Sequence, residues 1–255
     1  LVTSNSFQVE SKMLDLYSEI IRCCSDECNE HGAVNDPNGN KCFIPRSFYW
    51  KTSLPKKFLI IATNPGKLTE EETKEYSKIH RSNDRITIEE SKEFVRKHLD
   101  IAGSMFRNAI DYDENRRKLS FHRDLLEAIS KVLSIERYQV FDYVNYTNLV
   151  KCQTIRNFTY LKKSKAKDFL VKQCYHQHLK REIDFLKPDL ILAYGEEVYN
   201  NLPLRSLIPT KIFVLPRIWS GATDDQRREW RNMLDVVHNN IKEIVKSIKD
   251  RMKHG

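Results

Sequence analysis

Phe58-Leu59-Ile60-Ile61-Ala62-Thr63-Asn64-Pro65-Gly66 joins an unbroken apolar run to a loop of polar and turn-forming residues. Such a run fits a strand covered on both faces, as the strands of parallel sheets are. The loop behind it then lies at the carboxyl end of a sheet, where α/β folds place their chemistry. Outward from this stretch, three more apolar runs read as strands: Val140 to Tyr146, Leu190 to Tyr194 and Ile212 to Leu215. Helical periodicity marks residues 8 to 24, Phe121 to Leu133, Tyr175 to Leu186 (stopped by Lys187-Pro188), Glu196 to Leu202, and a charged C-terminal helix from about Asp224. Strands alternating with helices predict the α/β class: a three-layer α/β/α sandwich around a mainly parallel four-stranded sheet.

At 255 residues the chain suits one domain, 1–255, with residues 67–120 a charged helical insertion and 224–255 the C-terminal helix. No apolar run approaches the length needed to cross a bilayer. No basic segment followed by an apolar signal core is present, so the expectation is a cytoplasmic protein, and a monomer. The 43 Lys+Arg against 35 Asp+Glu give a net charge of +8, which favours a polyanionic partner through phosphate neutralisation. The lysines at 162, 163, 165 and 167 serve equally as a phosphate track or a solvated face. A Gly-rich phosphate loop after the first strand is missing, which argues against a nucleotide-cofactor protein.

Six cysteines in an unexported chain point to reduced thiols that are buried, catalytic or metal-bound. Cys23, Cys24, Cys28 and Cys42 cluster near the N-terminus, whereas Cys152 and Cys174 lie far downstream. That split suits a site tying the N-terminus to the middle of the fold. Just before Cys152, in Thr147-Asn148-Leu149-Val150-Lys151-Cys152, Asn148 offers the donors and acceptor needed to read a pyrimidine edge. Lys151 and the pair Leu149-Val150 call for no function. On their own, Asn64-Pro65-Gly66 reads first as a turn, Phe121 at least as well as a core residue and Trp219 equally as a loop anchor.

Taken in order, Asn64-Pro65-Gly66, Thr147 to Cys152, Cys174, Lys187-Pro188-Asp189-Leu190-Ile191-Leu192-Ala193-Tyr194-Gly195 and Leu215-Pro216 resemble the uracil-DNA glycosylase superfamily, and most of all its iron-sulfur branch. The resemblance implies a monofunctional DNA glycosylase that flips a uracil or modified pyrimidine out of DNA, hydrolyses its N-glycosidic bond and leaves an abasic site. It implies that Asn64 positions the attacking water and that Thr63, Pro65, Gly66, Phe121 and Asn148 hold the base, with Phe121 stacking on it. Arg217, Ile218 and Trp219 then contact DNA, the first as a phosphate clamp and the other two as wedges. Cys24, Cys28, Cys152 and Cys174 become ligands of a structural [4Fe-4S] cluster, with zinc the lesser alternative and Cys23 or Cys42 possible substitutes.

Two departures stand out. Three residues separate Cys24 from Cys28 where relatives have two, and Leu215-Pro216-Arg217 replaces the usual His-Pro-Ser or Asn-Pro-Ser. The second removes an imidazole that would stabilise the leaving base. It leaves room for two alternatives: a glycosylase of bulky, phage-type modified cytosine acting in antiviral defence, or a catalytically inert DNA-binding member.

Overall fold

The computed structural model describes residues 11–23, 26–31, 33–34, 48–49, 57–64, 74, 86–110, 120–154, 165–202, 210–218 and 221–254. Its strands are β1 (Ala33–Val34), β2 (Phe48–Tyr49), β3 (Phe58–Ala62), β4 (Val144–Asn148), β5 (Gln153–Thr154), β6 (Leu190–Tyr194) and β7 (Lys211–Leu215). The central sheet runs β2-β4-β3-β6-β7. Its four long strands are parallel and the two-residue β2 pairs antiparallel with β4 at one edge. The chain therefore moves from β3 to one neighbour, β4, and then crosses to the other, β6. In open α/β sheets such a reversal marks the crevice that takes ligands, outside the carboxyl ends of the strands, and here that place lies above β3, β4 and β6.

Side-chain alternation along the strands sorts the core into two layers. Leu59, Ile61, Ile191 and Ala193 face one layer, built by helices Ser11–Ile21, Ile88–Ile110, Lys165–Cys174, Lys180–Leu186 and Glu196–Asn201. Phe58, Ile60, Ala62, Tyr146, Leu192, Tyr194 and Leu215 face the other, built by helices Ser120–Leu133 and Asp224–His254. The expected three-layer sandwich is present. Within 67–120, the Ile88–Ile110 helix puts Phe94, Val95 and Leu99 into the first layer. Among the described residues no helix is long and apolar enough to cross a membrane.

Two elements differ from their sequence reading. Val140 to Tyr146 was expected as one strand, but Val140–Tyr143 is a helical turn and β4 begins at Val144. Val140 is nonetheless fully buried, so its apolar character serves the core without serving the sheet. Tyr175 to Leu186 was expected as a helix; it is the second half of a longer one that starts at Lys165 and passes through a π turn at Tyr175–Leu179. Lys187 closes it in the left-handed conformation (φ 43°), its N–H donating to the Ile183 carbonyl over 2.8 Å, just ahead of Pro188.

Candidate functional site

Backbone hydrogen bonds fasten the loop after β4 to the loop after β3. Asn148 stands opposite Ala62 in the register. Beyond it, the Leu149 N–H donates to the Ala62 carbonyl at 2.7 Å and the Val150 N–H to the Thr63 carbonyl at 2.9 Å. Thr63 and Asn64 are thereby set beside Asn148 at the mouth of the crevice. The Asn64 amide donates to Thr154 Oγ1 (3.3 Å), which orients the side chain of the first loop against β5. Pro65 and Gly66 lie outside the described residues.

Asn148 is 1% exposed. Its Oδ1 accepts a hydrogen bond from the Tyr146 hydroxyl at 3.2 Å, while its buried Nδ2 has no partner among the described residues. A buried amide donor left unmatched costs on the order of 1–3 kcal/mol, a cost that a ligand acceptor in the crevice would recover. Successive residues of a strand point to opposite faces, so Thr147 belongs to the other layer. There its hydroxyl donates to Glu182 (3.0 and 2.9 Å), and the fully buried Lys151 ammonium donates to Thr147 Oγ1 at 2.7 Å, to the Asn148 carbonyl at 2.8 Å and to Glu182. Burial, then the Glu182 charge and its hydrogen bond, holds the Tyr17 phenol well above its ordinary pKa. Lys151, to which sequence reading gave no task, is thus the tie between the Asn148 backbone and the helical layer behind it.

On the Asn148 side of the sheet, Tyr194 ends β6 and is 2% exposed, its hydroxyl buried without a partner. The Phe121 ring meets it edge-on at 5.9 Å between centroids, and the Arg217 guanidinium lies 5.9 Å from its ring centre. Phe121 is 38% exposed, so it stands at the rim of the crevice rather than in the core. Gly195 has φ 97°, a conformation that side chains rarely adopt, and a Cβ there would lie 3.7 Å from the Arg217 Cβ. The last loop is moored from below: the Trp230 indole N–H donates to the Pro216 carbonyl at 3.0 Å, and Arg227 pairs with the buried Asp124 at 3.2 Å. Ile218 packs in the same layer at 8% exposure, so it holds the loop down instead of projecting from it. Leu215 is fully buried in that layer and offers the crevice nothing polar. Trp219 lies outside the described residues.

Of the four cysteines expected to bind metal, Cys28, Cys152 and Cys174 are buried at 5–6% exposure in one core layer; Cys24 and the possible substitute Cys42 lie outside the described residues. They share this layer because β1 pairs with β5: Ala33 stands opposite Thr154, which brings the Asp26–Glu30 helix to the loop that carries Cys152. Burial pushes the Cys174 thiol up to about 11, with Cys28 adding to the rise and the Lys151 backbone N–H opposing it. Cys23 lies on the same side, its thiol 3.7 Å from Gln177 Oε1. Among the described residues no three His, Cys, Asp or Glu side chains form a group able to hold a metal ion. The set is thiol-rich, which suits a thiolate-bound group in composition, and its three described members share a layer, but they form no metal-holding group by themselves.

Together these features define a class: a three-layer α/β/α protein with a buried amide at the switch point of its sheet. The family model of the uracil DNA glycosylase superfamily matches residues 51–239, and the chain belongs to that superfamily. Its members are in general DNA glycosylases, hydrolases of DNA repair, so the function is uracil-DNA-glycosylase-like and DNA is the partner. No curated protein matches the chain.

Proposed function

We propose that the protein hydrolyses the N-glycosidic bond of uracil or a modified pyrimidine flipped out of DNA and leaves an abasic site. The observation that carries this reading is the Asn148 amide, buried beside Thr63 and Asn64 with its donor unmatched. A base edge offering an acceptor satisfies it. In the reaction the C1′–N bond breaks and its electron pair leaves with the base. Water adds its oxygen to C1′, gives up one proton, and the departed base gains one. Asn64, its amide nitrogen engaged by Thr154, takes the water through its carbonyl oxygen. An amide orients water well but is a poor base, so the turnover expected is modest. Phe121 stacks on the base at the rim, and the exposed Arg217, with Trp219, engages the DNA around it.

Cys24, Cys28, Cys152 and Cys174 are the proposed holders of a [4Fe-4S] cluster, with zinc the alternative. Its contribution would be structural, tying the N-terminal cysteines to the loop that follows Asn148. An absorbance spectrum and metal content of anaerobically purified protein test this assignment. Iron, sulfide and a broad visible band are expected, and metal-free protein of unchanged thermal stability would refute it.

The base itself is decided by a release panel on oligonucleotides carrying uracil, thymine mismatches and modified cytosines. Leu215, a core residue where relatives carry a polar one, favours a pocket that differs from that of a plain uracil remover, and phage-type modified cytosine, as in antiviral defence, is the finer alternative. Asn64→Ala is expected to abolish release while DNA binding persists. If the unaltered protein binds DNA and frees no base from the whole panel, the inert DNA-binding reading replaces this one.

A further inference from the structure

We propose that the Tyr194 hydroxyl is the second polar contact to the flipped base, meeting it on the side away from Asn148; this rests on the glycosylase reading above. The placement follows from the register. Ala62 pairs with Asn148 on one side, and Ile61 pairs with Ala193 on the other, so one step further along Ala62 stands beside Tyr194. Asn148, Ala62 and Tyr194 therefore form a row across the end of the sheet on one face, with a methyl group at its centre. The outer two lie two strand spacings apart, about 10 Å between backbones.

Both ends of the row carry an orphaned polar atom. Asn148 Nδ2 and the Tyr194 hydroxyl are each buried and lack a hydrogen-bond partner among the described residues. Such atoms occur elsewhere in the core, but these two end one row on the same face of the sheet, with the exposed Phe121 against Tyr194, and read as a site built for a polar guest. Leu215, at the end of the last strand, is fully buried in the core and offers nothing polar. Tyr194, on the adjacent strand and paired with Leu215 in register, has a proton to donate on that side. Burial, only partly offset by the Arg217 guanidinium beside its ring, holds the phenol well above its ordinary pKa. The hydroxyl stays protonated throughout and stabilises, by hydrogen bonding, the negative charge that the broken bond leaves on the base.

The test is Tyr194→Phe in the full chain, which keeps the ring, its contact with Phe121 and its place under Arg217. Two readouts are paired: single-turnover base release, and affinity for an uncleavable duplex containing the target base relative to the same duplex with a tetrahydrofuran abasic analogue. Expected are a fall in release of 10-fold or more, loss of most of the preference for the base-containing duplex, unchanged affinity for the abasic one, and a thermal midpoint equal to or above that of the unaltered protein. A structural hydroxyl would give the opposite stability result. If Tyr194→Phe releases base within 2-fold of normal and keeps the preference, the Tyr194 inference falls alone. If the unaltered protein neither releases nor prefers any base, the glycosylase reading falls and this inference with it.

Discussion

Lys151 and Glu182 show how much a single side chain can conceal from sequence reading. Lysine is almost never fully buried unless paired, and its partner here lies 31 positions away on a different element, so no local pattern announces it. Asn148 was legible because its motif is contiguous; Tyr194 was not, since within an apolar strand it reads as one more core aromatic. The buried pair makes a prediction at this scale. Glu182→Ala leaves the Lys151 ammonium uncompensated in the core, and denaturant unfolding is expected to show a loss of about 3–5 kcal/mol. Replacing both partners, Lys151→Met with Glu182→Leu, is expected to recover most of that loss. A double variant as unstable as Glu182→Ala would show that the network does more than neutralise its own charges.

Among the elements, the helix Lys165–Leu186 is the one whose local chemistry diverges most from its pattern. Its π turn sets His178 four residues beyond Cys174, 6% exposed, with neither ring nitrogen partnered among the described residues. Burial, then the charges of Lys151 and Arg181, lowers its pKa from 6.5 to about 3. A depressed pKa in the folded state means that the unfolded chain takes up a proton first as pH falls. The stability attached to this residue is whole above 6.5 and drains away between 6.5 and about 3, at up to about 1.4 kcal/mol per pH unit. Thermal midpoints measured across that window are expected to decline less steeply in His178→Leu than in the unaltered chain. Equal slopes would show that the imidazole is protonated in place. Nothing in the sequence signalled the π turn, because i to i+5 bonding leaves the apolar spacing nearly unchanged. The late start of β4 escaped for a related reason: Val140 is apolar for the core, and apolarity alone cannot tell a strand from a helical turn.

For the molecule as a whole, the alternation of apolar runs with helical stretches was enough to specify three layers, since a strand buried on both faces needs cover on both. The ribbon of β1 with β5 was beyond reach, being two residues long on each side and formed by partners about 120 positions apart. Yet that ribbon is what brings the early and late cysteines into one layer. The excess of basic residues belongs to this scale too. DNA affinity is expected to fall linearly on a log–log plot against salt, and Arg217→Ala to reduce the slope by about 0.9, the share of one phosphate contact. An unchanged slope would place Arg217 off the backbone.

The parity of β4 has a consequence for how such a protein can change over time. Thr147 answers to the helical layer through Glu182 and Lys151, while Asn148, its immediate neighbour, answers to the crevice. Under the proposed function, substrate choice and structural integrity are thus written on alternate letters of one strand. On that reading, the side chains of Ala62, Asn148 and Tyr194 face away from the buried charges behind the sheet, so a change of base need not begin at the ion pair that holds the fold.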